Sequence, residues 1–305
     1  MKHSAKITTI LIVMFLITQL IGLFVVATYV NGLTLPYGME PPTELTDKPR
    51  GPEIIIAFVL AIALFFLLIK INAETFIRIW YFIVTILALS LTFNAIFFKL
   101  DFIYFTSLLA LAIAIPLAYV KIFNKRLLVH NITELLVYPG IAAVFIPLLN
   151  VMWIIILLFL ISIYDIWAVW YSKFMEKMAR FQIERLQFFT GFFVPYADKK
   201  QKFKIKQIKQ KYSGKGDKIM EEQFKKAKIK INLAILGGGD VIFPIITAGV
   251  FYKTFGLASA FIIMISATLA LLGLFMLARK GKFYPAMPFL ATGMYLGMFV
   301  SWLVF

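Results

Sequence analysis

Two aspartates stand in surroundings that should repel them. Asp165 lies within the apolar run from Leu157 to Val169, and Asp240 follows Gly237-Gly238-Gly239 and precedes Val241-Ile242-Phe243. A carboxylate at the centre of a bilayer costs about 2.5–3.5 kcal/mol on insertion scales, so one that is kept there is expected to have a function. Two carboxylates brought face to face cannot both ionise cheaply, and one retains a proton. Such a pair suits hydrolysis. The ionised member takes a proton from water and the neutral one polarises a carbonyl, a scheme that needs no covalent intermediate, no metal and no cofactor.

The elements that must position these residues are membrane spans. The chain has 305 residues, is 62% hydrophobic and contains 32 phenylalanines, with a mean hydropathy of +0.90, well outside the range of a water-soluble domain. Cysteine is absent, which excludes a disulfide framework and a thiol nucleophile. Runs of about 20 apolar residues bounded by charges or turn residues predict an all-α polytopic protein with nine transmembrane helices. These are Ile7–Val30, Ile54–Ile71, Ile77–Phe98, Phe102–Phe123, Ile132–Leu149, Val151–Tyr171, Ile231–Tyr252, Leu257–Ala278 and Phe283–Phe305. Asp165 falls on the sixth and Asp240 on the seventh. The first reads as an uncleaved anchor, and Pro116, Pro139 and Pro147 predict kinks or ends.

Charge sets the expected orientation. The net charge is +16, and more than half of the Lys and Arg lie between residues 173 and 232. With the N-terminus cytoplasmic and the C-terminus outside, that basic segment and Lys2, Lys6, Lys70, Arg78, Lys121, Lys125, Arg126, Arg279, Lys280 and Lys282 are internal. Only Lys48, Arg50, Lys99 and Lys253 are external. The basic loop at 173–230 reads as a segment facing anionic lipid rather than nucleic acid. Its first part, with Met175, Met178, Leu186 and Phe189 at helical spacing, predicts an interfacial amphipathic helix. The chain divides on this reading into a scaffold of five spans, 1–149, and a four-span region, 150–305, that holds the chemistry.

Spans six and seven run in opposite directions. At 1.5 Å per residue both aspartates then sit roughly 10–13 Å from the cytoplasmic boundary, a match in depth that allows them to meet. Gly237-Gly238-Gly239 supplies a weak first turn and close backbone approach beside Asp240. Pro285-Ala286-Met287-Pro288 cannot be regular helix throughout, and at similar depth its unpaired carbonyls are expected to meet substrate. Glu134, beside His130 and Asn131, reads as an interfacial residue at a helix start.

Tyr164-Asp165, Gly237-Gly238-Gly239-Asp240 and Pro285-Ala286-Met287 resemble, in order and on the corresponding spans, the Tyr-Asp, Gly-x-Gly-Asp and Pro-Ala-Leu signatures of the presenilin and signal peptide peptidase family of intramembrane aspartyl proteases. Met287 departs from the pattern, where the family has Leu. The resemblance implies Asp165 and Asp240 as catalytic residues, with Tyr164, Gly237, Gly238, Gly239, Pro285, Ala286 and Met287 shaping the site or binding substrate. It also implies transmembrane-segment proteins as substrates, a lipid bilayer as setting, and a multi-pass place in the cell membrane of a prokaryote. Two other readings use the same carboxylates: a prepilin-type aspartyl peptidase, which resembles this chain in its Gly-x-Gly-Asp, and an ion-coupled transporter. Against the transporter, every signal sits in the second half of the chain, with no repeat in the first.

Overall fold

The computed structural model describes residues 5–39, 51–71, 73–100, 105–124, 126–172, 190–196, 232–278 and 284–305, with isolated positions between 172 and 232. The amphipathic helix expected after Ser172, apart from isolated positions, and most of the basic loop lie outside the described residues.

Nine helices are present among the described residues: α1 (Ala5–Val30), α2 (Gly51–Lys70), α3 (Glu74–Lys99), α4 (Thr106–Phe123), α5 (Leu127–Phe145), α6 (Val151–Ile166), α7 (Gly238–Phe255), α8 (Leu257–Leu277) and α9 (Met287–Val304). Among the described residues seven of them, α1, α3, α4, α5, α6, α8 and α9, are long and apolar enough to cross a membrane. A 3₁₀ turn at Ile146–Leu148 with Pro147 closes α5, whereas Pro116 and Pro139 are carried inside α4 and α5.

The fold is all-helical apart from one short strand pair. Strand β1 (Gly191–Tyr196) pairs antiparallel with β2 (Asn232–Gly237), with Gly191 opposite Gly237 and Phe193 opposite Ile235. The seventh span therefore begins at Gly238, and the residues expected to form its first turns are a strand. Leu233-Ala234-Ile235-Leu236 is apolar throughout, so hydropathy merges it with the adjoining helix α7. Only its burial shows period two, with Ala234 and Leu236 buried and Leu233 and Ile235 exposed. The ninth helix likewise starts at Met287, four residues later than expected, because Pro285 and Pro288 have no N–H groups and are best accommodated before a helix or in its first turn.

Helices α1, α5 and α7 form the centre, with α3 and α4 against one side of α5 and α6, α8 and α9 gathered around α7. In hydrocarbon no hydrophobic force separates one apolar helix from another, so association depends on close packing and interhelical hydrogen bonds. Both are visible. Gly140 of α5 lies directly against the Ala88 carbonyl of α3, where a Cβ has no room. Thr92 donates to the Leu136 carbonyl at 2.6 Å, and Gln19 of α1 donates to the Val241 carbonyl of α7 at 3.0 Å. Glu134 is not an interfacial residue at a helix start. It is fully buried in the second turn of α5 and paired at 2.9 Å with Lys121 of α4, which is itself buried.

Candidate active site

Asp165 sits where α6 changes its winding. An Asn150 side-chain cap on the Trp153 N–H starts the helix, and a run of Ile, Leu and Phe continues it to Ile166. There it widens into a π-helical turn, Trp167–Tyr171, in which Ser172 N–H bonds back to Trp167 O. Such turns open the backbone ladder and are frequent at functional positions. Asp165 precedes the turn by two residues and is only 4% exposed.

What meets Asp165 is the start of α9. The Met287 N–H donates to Asp165 Oδ2 at 3.0 Å, and the Ala286 N–H faces the same carboxyl. The Pro285-Ala286-Met287 segment thus turns its N–H groups to the aspartate. The reason is direction: the segment is the N-terminal end of a helix, where orphan N–H groups and the positive end of the dipole suit a carboxylate.

Asp240 is the third residue of α7, with Gly237 as N-cap. Its carboxylate turns back to the Gly237 amide N–H, the second half of a capping box, with Oδ2 only 3.2 Å from where a Gly237 Cβ would stand. Asp240 is half-buried, and the Asp165 carboxyl lies near enough to act on it electrostatically. Two helix N-termini, those of α7 and α9, therefore each present backbone N–H groups to one of two neighbouring carboxyls.

The remaining residues singled out in the sequence divide. Gly238 continues the strand pairing, its N–H meeting Thr190 O at 3.3 Å, and packs on Tyr138 of α5. Gly239 is exposed and makes no close approach. Tyr164 is half-buried with its ring tilted against Trp167, centroids 6.2 Å apart. Pro285 is buried just before α9. Three α5 residues reach this region without having been singled out for it. Tyr138 lies against Gly238, and His130 and Asn131 contact β1. The signal that could have found them is polarity within or beside an apolar span, the same one that marked the aspartates.

A family profile described as "Signal-peptide peptidase, presenilin aspartyl protease" matches residues 11–305. No curated protein sequence matches the chain. Among solved structures, a presenilin family intramembrane aspartate protease in the C222 space group aligns with a TM-score of 0.62 at 19% identity, covering 98% of this chain and 99% of that one. A structure so described in the P2 space group gives 0.59 at 19% identity, covering 97% of both. At that identity the likeness is one of fold.

Proposed function

The chain belongs to the signal-peptide peptidase and presenilin family of aspartyl proteases, and on that premise we propose that Asp165 and Asp240 are the catalytic dyad of this integral multi-pass membrane endopeptidase. One carboxylate deprotonates water and the other, protonated, polarises the scissile carbonyl. The attack yields a gem-diol, and the proton passed to the amide nitrogen releases the new amine. The observation that carries the reading is the convergence of α6 and α7, which brings a buried Asp165 into electrostatic reach of Asp240.

Substrates on this reading are transmembrane segments unwound locally, since a helical backbone hides its carbonyls in its own hydrogen bonds. The strand pair offers a place for the extended form. In an antiparallel ladder backbone groups point alternately to the partner and away. The Gly191 and Phe193 backbone groups point away from β2, as their α5 contacts indicate, so those of Leu233, Ile235 and Gly237 point away from β1. Among the described residues no strand pairs with that outer edge of β2, and the edge ends at the Gly237 N–H and the Asp240 carboxylate. An added strand would be led to the dyad by main-chain hydrogen bonds.

For topology we infer nine spans, counting α2 and α7, with a cytoplasmic N-terminus, an external C-terminus and, carried from the resemblance, a prokaryotic cell membrane. The positive segment at 173–230 is the main support. Preferred substrates then have external N-termini and are cut toward the cytoplasmic end of the span. The chain lacks cysteine, so a single Gly214→Cys label reports sidedness without background. An externally accessible label reverses the substrate orientation.

The dyad is tested with purified Asp165→Asn and Asp240→Asn proteins and a single-span substrate in detergent. Each is expected to lose roughly 10⁴-fold in turnover, the scale of removing a catalytic carboxylate, with an unchanged helical circular-dichroism spectrum. Substantial cleavage by either variant sinks the dyad.

A further inference from the structure

Helix α5 holds strand β1 by two consecutive polar residues. Asn131 Nδ2 donates to the Phe193 carbonyl at 2.8 Å while Asn131 Oδ1 accepts from the Phe193 N–H at 3.0 Å. His130 Nε2 lies 2.8 Å from the Gly191 carbonyl, which as an acceptor assigns the proton to Nε2. A primary amide is the side chain that reproduces the donor and acceptor of a neighbouring strand, so Asn131 takes the place a third strand would occupy beside β1. The next outward-facing residue, Pro195, has no N–H to offer. One edge of the pair is therefore closed by α5 and by proline.

The hold is fixed from behind. His130 Nε2 is 3.7 Å from Glu134 Oε1, Glu134 is paired with Lys121, and the His130 ring packs at 5.1 Å against Phe193. Ahead of it the geometry runs without a break to the carboxylate. Phe193 is opposite Ile235, Gly191 is opposite Gly237, and Gly237 caps the helix whose third residue is Asp240.

We propose that Asn131 is a positioning residue for the cleavage reaction. By holding Phe193 it fixes β1 against α5, the strand register fixes β2, and the point at which an extended substrate meets Asp240 is thereby set from α5. The proposal rests on the protease reading above. It assigns Asn131 control over which peptide bond is cut as well as how fast, because a strand pair free to slide presents neighbouring bonds to the same carboxylates.

The experiment compares wild type with Asn131→Leu, which keeps the branching of the side chain and removes both hydrogen bonds, and Asn131→Asp, which keeps the acceptor for the Phe193 N–H and loses the donor. Fragments of a single-span substrate are mapped by mass spectrometry beside the rates. Proportions of cut sites do not depend on how much of a preparation is folded, so they separate positioning from simple support of the fold. Asn131→Leu is expected to spread cutting over adjacent bonds and to lower turnover roughly tenfold to a hundredfold, the scale on which ångström misplacement acts. Asn131→Asp is expected to show the same spread in smaller measure, and it decides the matter if the Leu protein does not fold. Wild-type fragments in wild-type proportions from the folded variants, with Asp240→Asn inactive in the same assay, overturn the positioning role alone. Cleavage by Asp240→Asn overturns the dyad on which it rests.

Discussion

Gly238→Ala should disable the protein far more than it destabilises it. A Cβ at position 238 would lie 2.8 Å from the Tyr138 hydroxyl oxygen, 3.0 Å from Cε1 and 3.2 Å from Cζ, inside the roughly 3.5–4.0 Å at which carbon contacts are comfortable. A hydroxyl at the end of a free side chain would swing aside, but this ring is buried and meets the ring of buried Phe192 edge-on at 5.8 Å. The first turn of α7 must give instead. Overpacking of this kind costs about 1–3 kcal/mol, and replacing a helical glycine by alanine returns about 0.5–1 kcal/mol, so the net loss is at most about 2.5 kcal/mol. The displaced turn carries Asp240 two residues on, and misplacement of a catalytic group by about 1 Å costs up to 100-fold. Melting in detergent should thus fall by a few degrees while single-turnover cleavage falls about 10- to 100-fold. Adding Tyr138→Phe removes the nearest atom and leaves the two carbons, which should restore part of the rate. Wild-type turnover by Gly238→Ala would refute the close approach and the reasoning built on it.

The rate should be bell-shaped in pH, since the proposed pair works with one proton: it is lost at low pH when both carboxyls are protonated and at high pH when both are ionised. A flat profile across both limbs, with circular dichroism unchanged, contradicts the shared proton. Glu134→Gln should cost about 3–5 kcal/mol by leaving Lys121 charged and unpaired in the protein interior, whereas Lys121→Met with Glu134→Leu should recover much of that, as buried pairs replaced by apolar residues often do. Thermal unfolding of the two proteins side by side decides it. Equal losses from both would mean that the polar pair itself, rather than the uncompensated charge, carries the stability.

The aspartates were legible in the sequence because charge inside an apolar run is rare and costly enough to stand out against any background. The helices were legible for the same reason in reverse, length and hydropathy being all that a span requires. The strands were not. Leu233, Ala234, Ile235 and Leu236 satisfy a hydropathy criterion as well as any helix, and what makes them a strand is pairing with Phe192, Phe193 and Val194, some 40 residues away in the chain. Glu134 was misplaced for a similar reason. Beside His130 and Asn131 it has the look of an interfacial cluster, and its countercharge, Lys121, belongs to another helix. The break at Pro285 was evident, but the contact of its N–H groups with Asp165 depended on which end of a helix it formed.

The two ways in which this fold accommodates a buried carboxylate differ in a manner that bears on chemistry. Glu134 is given a lysine at 2.9 Å. Asp165 and Asp240 are given backbone N–H groups, Ala286 and Met287 for one and Gly237 for the other, and among the described residues no ion pair involves either of them. A cation beside a carboxylate favours its ionised form at every working pH and so withdraws it from proton exchange. Amide N–H groups occupy lone pairs and orient the carboxyl, but each carries only a fraction of a charge, and the helix ends that supply them are worth about 0.3–2 kcal/mol. They hold a carboxyl in place and leave its proton to be shared with a neighbour. A lysine introduced beside either aspartate would improve the electrostatics of the resting protein, and on the dyad reading it would remove the protonation state that hydrolysis requires.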